Sequence, residues 1–249
     1  MRFSANLGFL WTELPLPEAI EAAKAAGFDA VEFHWPYDTP AEDVRAALER
    51  TGLPALGLNT LRGEGNGLSA LPGREAEARA AIAQAVDYAR AVGAGAVHVM
   101  AGFAEGPEAH ACFVANLRHA CDAAPELTIL IEPLNRHDAP GYFLRTSAQA
   151  REILAEVDRP NAKLMFDCYH LQIMGGDLTR QLEACRDAIG HIQFAGVPAR
   201  GRPDEGELAY DHVFATIRAM GWDMPLGAEY KPGGATEPTL GWMARYRKA

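Results

Sequence analysis

The chain is poor in the features that mark several specialised classes of protein. Its four cysteines, Cys112, Cys121, Cys168 and Cys185, form no CxxC pair, which excludes zinc-ribbon and thioredoxin-type motifs. Cys112 and Cys121 fall in one helical pattern, about 13 Å apart at ~1.5 Å rise per residue, too far for a disulfide. Free thiols fit a reducing compartment, so the expectation is a cytoplasmic protein. No stretch approaches the roughly 20 apolar residues that span a bilayer, and the opening MRFSANLGFLW lacks the pattern of a signal peptide. No glycine-rich phosphate loop of the GxGxxG or GxxxxGK[ST] type follows the first strand-like run. Basic residues are also scarce: 23 Lys and Arg against 33 Asp and Glu give a formal charge of −10. That field repels nucleic acid and anionic membranes, so neither is an expected partner. The terminal group Arg245, Arg247 and Lys248 reads as a solvated last helical turn.

What the chain does have is a repeating grammar. Short apolar runs cover residues 3–9, 30–33, 55–58, 96–100, 128–131, 163–166, 191–194 and 226–228. Each is nearly continuous in apolar residues, as parallel strands buried on both faces require. Longer amphipathic patterns separate them. The clearest runs from Arg74 to Val92, with Ala78, Ala81, Ile82, Ala85, Val86, Ala89 and Val92 at helical spacing, and stops at Gly93. Patterns over 16–26 and 41–51 likewise stop at Gly27 and Gly52, while Pro40 and Ser147 mark helix starts. Eight such units in 249 residues predict a single-domain (β/α)8 barrel over residues 1–249. The glycine-rich residues 62–73 belong to a strand-to-helix loop.

In such a barrel the chemistry gathers at the C-terminal ends of the strands. The fifth run ends TILIEP at Glu132, the sixth KLMFD at Asp167, and the eighth LGAEY at Glu229, while the seventh, HIQFAG, contains Gln193. Four consecutive strands thus each present one oxygen ligand. Three carboxylates brought together repel one another and lose hydration, and a divalent cation relieves both costs. All-oxygen ligation suits Mg2+ or Mn2+ better than zinc. Each acid alone could equally be a strand-end cap or ion-pair partner; four on adjacent strands favour the metal. His170, three residues after Asp167, falls over the barrel mouth, where it can touch a substrate. Arg200 and Lys231, in loops after the seventh and eighth runs, are cations that suit a substrate carboxylate, with surface solvation as the other reading. His191 and Gln193, two apart, share the interior face; His191 and His98 read as core histidines or neighbours of the site. His34, His110, His119, His137 and His212 give no clear signal.

With these residues in hand, the chain resembles the hydroxypyruvate isomerase family of the xylose-isomerase-like TIM barrel superfamily. The likeness runs along almost the whole chain. It is carried by AAGFDAVEF (25–33), GLSALPGR (67–74), IEPLN (131–135), GYFL (141–144), FDCYHLQIM (166–174), HIQ (191–193) and EYKP (229–232). The resemblance implies that Glu132, Asp167, Gln193 and Glu229 hold the metal, that Glu132 and Glu229 transfer protons, and that His170 and Arg200 contact substrate. It departs at Arg202, where related sequences often carry a glutamate; Glu205 or Glu207 could compensate.

The implied reaction interconverts hydroxypyruvate and tartronate semialdehyde through an enediolate, one glutamate removing a proton and the other returning it to the neighbouring carbon. A longer 2-oxo sugar acid or a ketose would use the same machinery. A DNA-repair endonuclease on this barrel would want a His-rich multi-zinc cluster and a basic face, which the sequence does not offer. A non-catalytic, metal-stabilised binding protein is the remaining class. A homo-oligomer stays open, with no interface that the sequence names.

Overall fold

Backbone chemistry punctuates the fold as the sequence predicts. Helix α1 (Leu16–Ala25) is followed by Gly27 at φ 88°, α2 (Ala41–Thr51) by Gly52 at φ 66°, and α3 (Glu75–Val92) by Gly93 at φ 75°. These left-handed conformations are ones that a Cβ resists. Helices α4 (Gly106–Ala123), α5 (Ser147–Val157), α6 (Cys168–Met174), α7 (Leu178–Cys185), α8 (Tyr210–Ala219) and α9 (Trp242–Arg247) complete the set. The α5 cap is Thr146, one residue before the expected start, its hydroxyl accepting from Gln149 N at 3.1 Å. Ser147 Oγ donates instead to Gln181 Oε1 at 2.6 Å.

The computed structural model describes residues 1–247, so Lys248 of the basic terminal group lies outside the described residues. Its strands are β1 (Phe3–Asn6), β2 (Ala30–Glu32), β3 (Leu58–Asn59), β4 (Ala96–His98), β5 (Thr128–Ile131), β6 (Ala162–Asp167), β7 (Ile189–Phe194) and β8 (Leu226–Ala228). They form one sheet in the order β2-β1-β8-β7-β6-β5-β4-β3, all pairs parallel. A Val31–Ala55 bridge and the bonds Phe33 N to Gly57 O (3.0 Å) and Asn59 N to His34 O (2.9 Å) join β2 to the β3 segment and round off the ring. The architecture is a single-domain (β/α)8 TIM barrel. The first four strands are shorter than expected and β6 and β7 begin earlier, the largest departures being at β1 and β3. β1 stops at Asn6 because Asn6 O turns the chain, accepting from Leu10 N at 2.9 Å. Regular β3 pairing is held to Leu58–Asn59, since Pro54 lacks a donor and Gly57 weakens a strand.

Stability comes from the layer between strands and helices. Phe3 and Phe194 pack edge-on against Trp242, with centroids 4.9 and 5.4 Å away, and Phe214 meets Phe194 at 5.1 Å. Each fully buried aromatic of this kind contributes about 1.5–3 kcal/mol. Inside the ring, side chains two residues apart share a face. Ala96, Leu130 and Met165 make an apolar floor. One step further along the same strands stand His98, Glu132 and Asp167, all buried. Polarity therefore changes along the barrel axis, and the site sits on the polar side. Among the described residues, no helix is long and apolar enough to cross a membrane.

Candidate metal centre

The barrel brings Glu132, Asp167 and Glu229 together as their strand-end positions predict. One ligand atom from each, together with one from His170, lies within 4.8 Å of the others, and all four residues are buried. Two unit charges that close repel by roughly 3 kcal/mol at an effective dielectric near ~20. The carboxylates respond unequally. Burial, then Glu229 and Asp167, push Glu132 well above the usual carboxylate range. Burial and Glu229 raise Asp167 to about 8. Burial also works against ionised Glu229, but Arg200 and His34 outweigh it and hold that carboxyl well below its ordinary range.

Each acid is held differently. Asp167 Oδ1 caps α6, accepting from Tyr169 N at 2.7 Å, so this residue is both a strand-end cap and a member of the cluster. Its Oδ2 is buried without a hydrogen-bond partner, as is Glu132 Oε1. Glu229 is fully engaged: Oε1 meets His34 Nε2 at 2.8 Å and Asn6 Nδ2 at 3.1 Å, and Oε2 accepts from Arg200 Nη2.

Gln193 stands beside Asp167 in the β6–β7 register. Its Nε2 donates to Glu32 Oε1 at 2.7 Å, leaving Oε1 buried and unpartnered. An unmade bond to a buried acceptor costs about 1–3 kcal/mol. Unpartnered oxygens on Glu132, on Asp167 and on Gln193 of the next strand are hard donors of the kind a divalent cation takes. With all three carboxylates ionised, as a bound cation would favour, the one guanidinium of Arg200 leaves two negative charges for it to balance.

His170 offers something else. Its Nδ1 receives the Asn135 backbone N–H at 3.0 Å, so the neutral ring carries its hydrogen on Nε2. That nitrogen lies 3.6 Å from Asp167 Oδ2 and 3.9 Å from Glu132 Oε1. Burial, then Arg200, lower its pKa to about 3. His170 is therefore a neutral donor at the mouth, not a lone pair aimed at the acids.

Arg200 adopts φ 55°, uncommon away from glycine, and its guanidinium lies over the rings of Phe9 (4.7 Å) and Tyr169 (5.0 Å). It also comes within 3.7 Å of Asp167 Oδ2 and 3.6 Å of Asp138 Oδ2. Arg202 turns away to Asp204 (3.3 Å) and Glu205. Glu205 and Glu207 are absent from the cavity lining; Asp138 is the acid beside Arg200. A cavity of about 360 Å3 opens above the cluster, lined by Phe9, His34, Glu132, His170, Arg200 and Lys231 among others. Lys231 is exposed at its rim.

Four neighbours were not singled out from the residue pattern. His34 binds Glu229; Asn6 bridges Glu229 and Glu32; Glu32 ties Gln193 and, at 2.8 Å, His191; Asn135 orients His170. Only the alternation of Glu32 and His34 on one face could have suggested that both look inward. A second cavity of about 340 Å3 runs from Leu130 and Met165 up to Asn6, Glu32, His98, His191 and Gln193, so Gln193 borders this space and not the cavity above the cluster. It lacks the three-carboxylate cluster.

A TIM barrel with buried carboxylates gathered at its strand ends has the architecture of an enzyme able to hold a divalent cation. The family model described as xylose isomerase-like TIM barrel matches residues 20–246. The 2-oxo-tetronate isomerase of Cupriavidus necator is 42% identical over 255 residues, covering 98% of each chain. The hydroxypyruvate isomerase of Escherichia coli is 38% identical over 258 residues, 99% of this chain and 100% of its own. A crystal structure described as an AP endonuclease, family 2, from Brucella melitensis superposes with a TM-score of 0.94 at 39% identity, covering 98% of each chain. The chain belongs to the xylose isomerase-like TIM barrel family, among relatives named hydroxypyruvate isomerase and 2-oxo-tetronate isomerase. It is an isomerase-type enzyme.

Proposed function

We propose that this protein isomerises a short 2-oxo hydroxy acid, hydroxypyruvate to tartronate semialdehyde in the first instance, at a centre held by Glu132, Asp167, Gln193 and Glu229. The observation that carries this reading is the buried cluster of Glu132, Asp167 and Glu229, with Glu132 and Asp167 each keeping an unpartnered oxygen and with Glu132 and Glu229 pushed to opposite protonation tendencies. A bound Mg2+ or Mn2+ would draw electron density from the substrate's carbonyl and hydroxyl oxygens and so acidify the adjacent C–H. The chain's own residues do the rest. Glu132 and Glu229 remove a proton from one carbon and return one to its neighbour, the enediolate lying between the two steps. Two acids whose surroundings push their affinities for protons apart are suited to this exchange. His170 donates through Nε2 to a substrate oxygen. Arg200 and Lys231 attract the substrate carboxylate, and Phe9 and Tyr169 hold the Arg200 guanidinium flat.

A four-carbon substrate of the 2-oxo-tetronate type is a second reading, favoured by a cavity of about 360 Å3, which a three-carbon acid does not fill. The name of the Cupriavidus relative supports it as well. Action on nucleic acid finds no support in a chain of formal charge −10. The test is turnover of hydroxypyruvate, 2-oxo-tetronates and ketoses with Mg2+ or Mn2+, with and without chelator. Chelator-sensitive turnover of either acid supports the reading. Turnover that ignores chelator rejects the metal, and silence on every substrate rejects these substrates in favour of one outside the panel or of a binding protein.

A further inference from the structure

Glu32 stands outside the proposed ligand set, yet it is 4% exposed and every one of its oxygens is engaged. Oε1 accepts from Gln193 Nε2 at 2.7 Å and from Asn6 Nδ2 at 3.0 Å, while Oε2 faces His191 Nε2 at 2.8 Å. A carboxamide has one donor end and one acceptor end. Fastening the Gln193 amine to Glu32 leaves the amide oxygen as the free end, and that oxygen is the one buried without a partner. A flipped amide would set oxygen against carboxylate and turn N–H groups toward the remaining space, where a cation could not use them.

The fold makes room for this carboxylate. A Cβ on Gly227 of β8 would stand 2.6 and 2.7 Å from the two Glu32 oxygens and 2.8 Å from Gln193 Cγ. Strand β8 thus gives up a side chain at the point where Glu32 reaches across from β2. We propose that Glu32 is a positioning residue that fixes the Gln193 carboxamide with its oxygen, not its nitrogen, presented to the cation. The inference rests on reading Gln193 as a metal ligand, and the experiment separates the two.

Mn2+ affinity is measured by calorimetric titration on wild type, Glu32→Leu, Glu32→Gln, Gln193→Ala and the Glu32→Leu/Gln193→Ala double variant, with thermal unfolding of each metal-free protein as the control for folding. Loss of an outer partner of this kind weakens metal binding by about 10–100-fold, and Glu32→Leu is expected in that range. Glu32→Gln, which keeps an oxygen acceptor but loses the charge, is expected to stay within a few-fold of wild type. The double variant is expected to bind no more weakly than Gln193→Ala alone, because residues acting through one another are not additive.

Wild-type affinity in Glu32→Leu overturns the inference and leaves the centre standing. Equal losses in Glu32→Leu and Glu32→Gln overturn it in favour of charge alone, and additive losses overturn the route through Gln193. Absence of Mn2+ binding by wild type overturns the centre and the inference with it. Glu32→Ala carries the same comparison if Glu32→Leu does not fold.

Discussion

His34 Nε2 lies 2.8 Å from Glu229 Oε1, joining the end of β2 to the end of β8 across 195 residues of chain. With Arg200 on the other oxygen, it holds Glu229 ionised in a place where burial alone would protonate it. Replacing His34 by Phe removes that bond while keeping a ring against Phe9, whose centroid is 5.1 Å away. The expected outcome is a fall in kcat/KM of about 10–100-fold, as for other partners that orient a working group. Steady-state kinetics on the accepted substrate measure it, beside a circular-dichroism check of the fold. Unchanged kinetics would show the contact to be idle.

The paired glutamates should be separable from the fold. Glu132→Gln and Glu229→Gln keep shape and remove the capacity to exchange a proton. Each is expected to lower kcat by about 100–10,000-fold, the usual contribution of a positioned acid or base. Thermal unfolding should show both folded, and residual activity near wild type in either would reject its role as a proton carrier.

Metal-free stability should fall between pH 7 and pH 9. Asp167 has its ordinary pKa of 3.8 in the unfolded chain and about 8 in the folded one. The folded state therefore holds a proton that the unfolded state has already released, and it loses this advantage as pH rises through about 8. Glu132 shifts in the same direction. His98 and His170, lowered from 6.5 to about 3, act only below that window, where the unfolded chain takes up their protons. Unfolding temperatures should drop by a few degrees across pH 7–9 in wild type and less in Asp167→Asn. Added Mn2+ should restore the most at the alkaline end. A flat wild-type profile would contradict the raised carboxyls.

Arg200→Ala should be worse for the metal-free protein than for the loaded one. Removing one partner of a buried ion pair costs about 3–5 kcal/mol, because the other charge is left uncompensated. A cation placed among the same carboxylates supplies the missing charge. Unfolding temperature with and without Mn2+ should therefore differ more in the variant than in wild type. An equal difference would mean that Arg200 and the cation do not share these charges.

Much of this was legible because burial on both faces writes parallel strands as apolar runs, and a polar residue ending a run then marks the barrel mouth. Glu132, Asp167 and Glu229 were found that way. Glu32 and His34 were not, although AVEFH carries them two apart, because what gives them meaning lies across the ring. Apart from Asn6, their hydrogen-bond partners are His191, Gln193 and Glu229, more than 150 residues away, and no local periodicity records such contacts. The helix start marked by Ser147 was legible as well, since α5 begins there with Thr146 as its cap.

The pairing of β1 with β8 has a consequence for how the molecule comes into being. The four proposed oxygen ligands all come from residues 132–229, whereas Asn6, Glu32 and His34, which bond to two of them, come from the first 34. A growing chain carries the aiming groups from the outset and gains their targets last. Until the final strand docks beside the first, Glu229 lacks its bonds to Asn6 and His34, and Gln193 lacks its bond to Glu32 unless β2 is already in place. Affinity for a cation at the proposed centre would thus belong only to a finished ring, and uptake of metal would report completion of the fold.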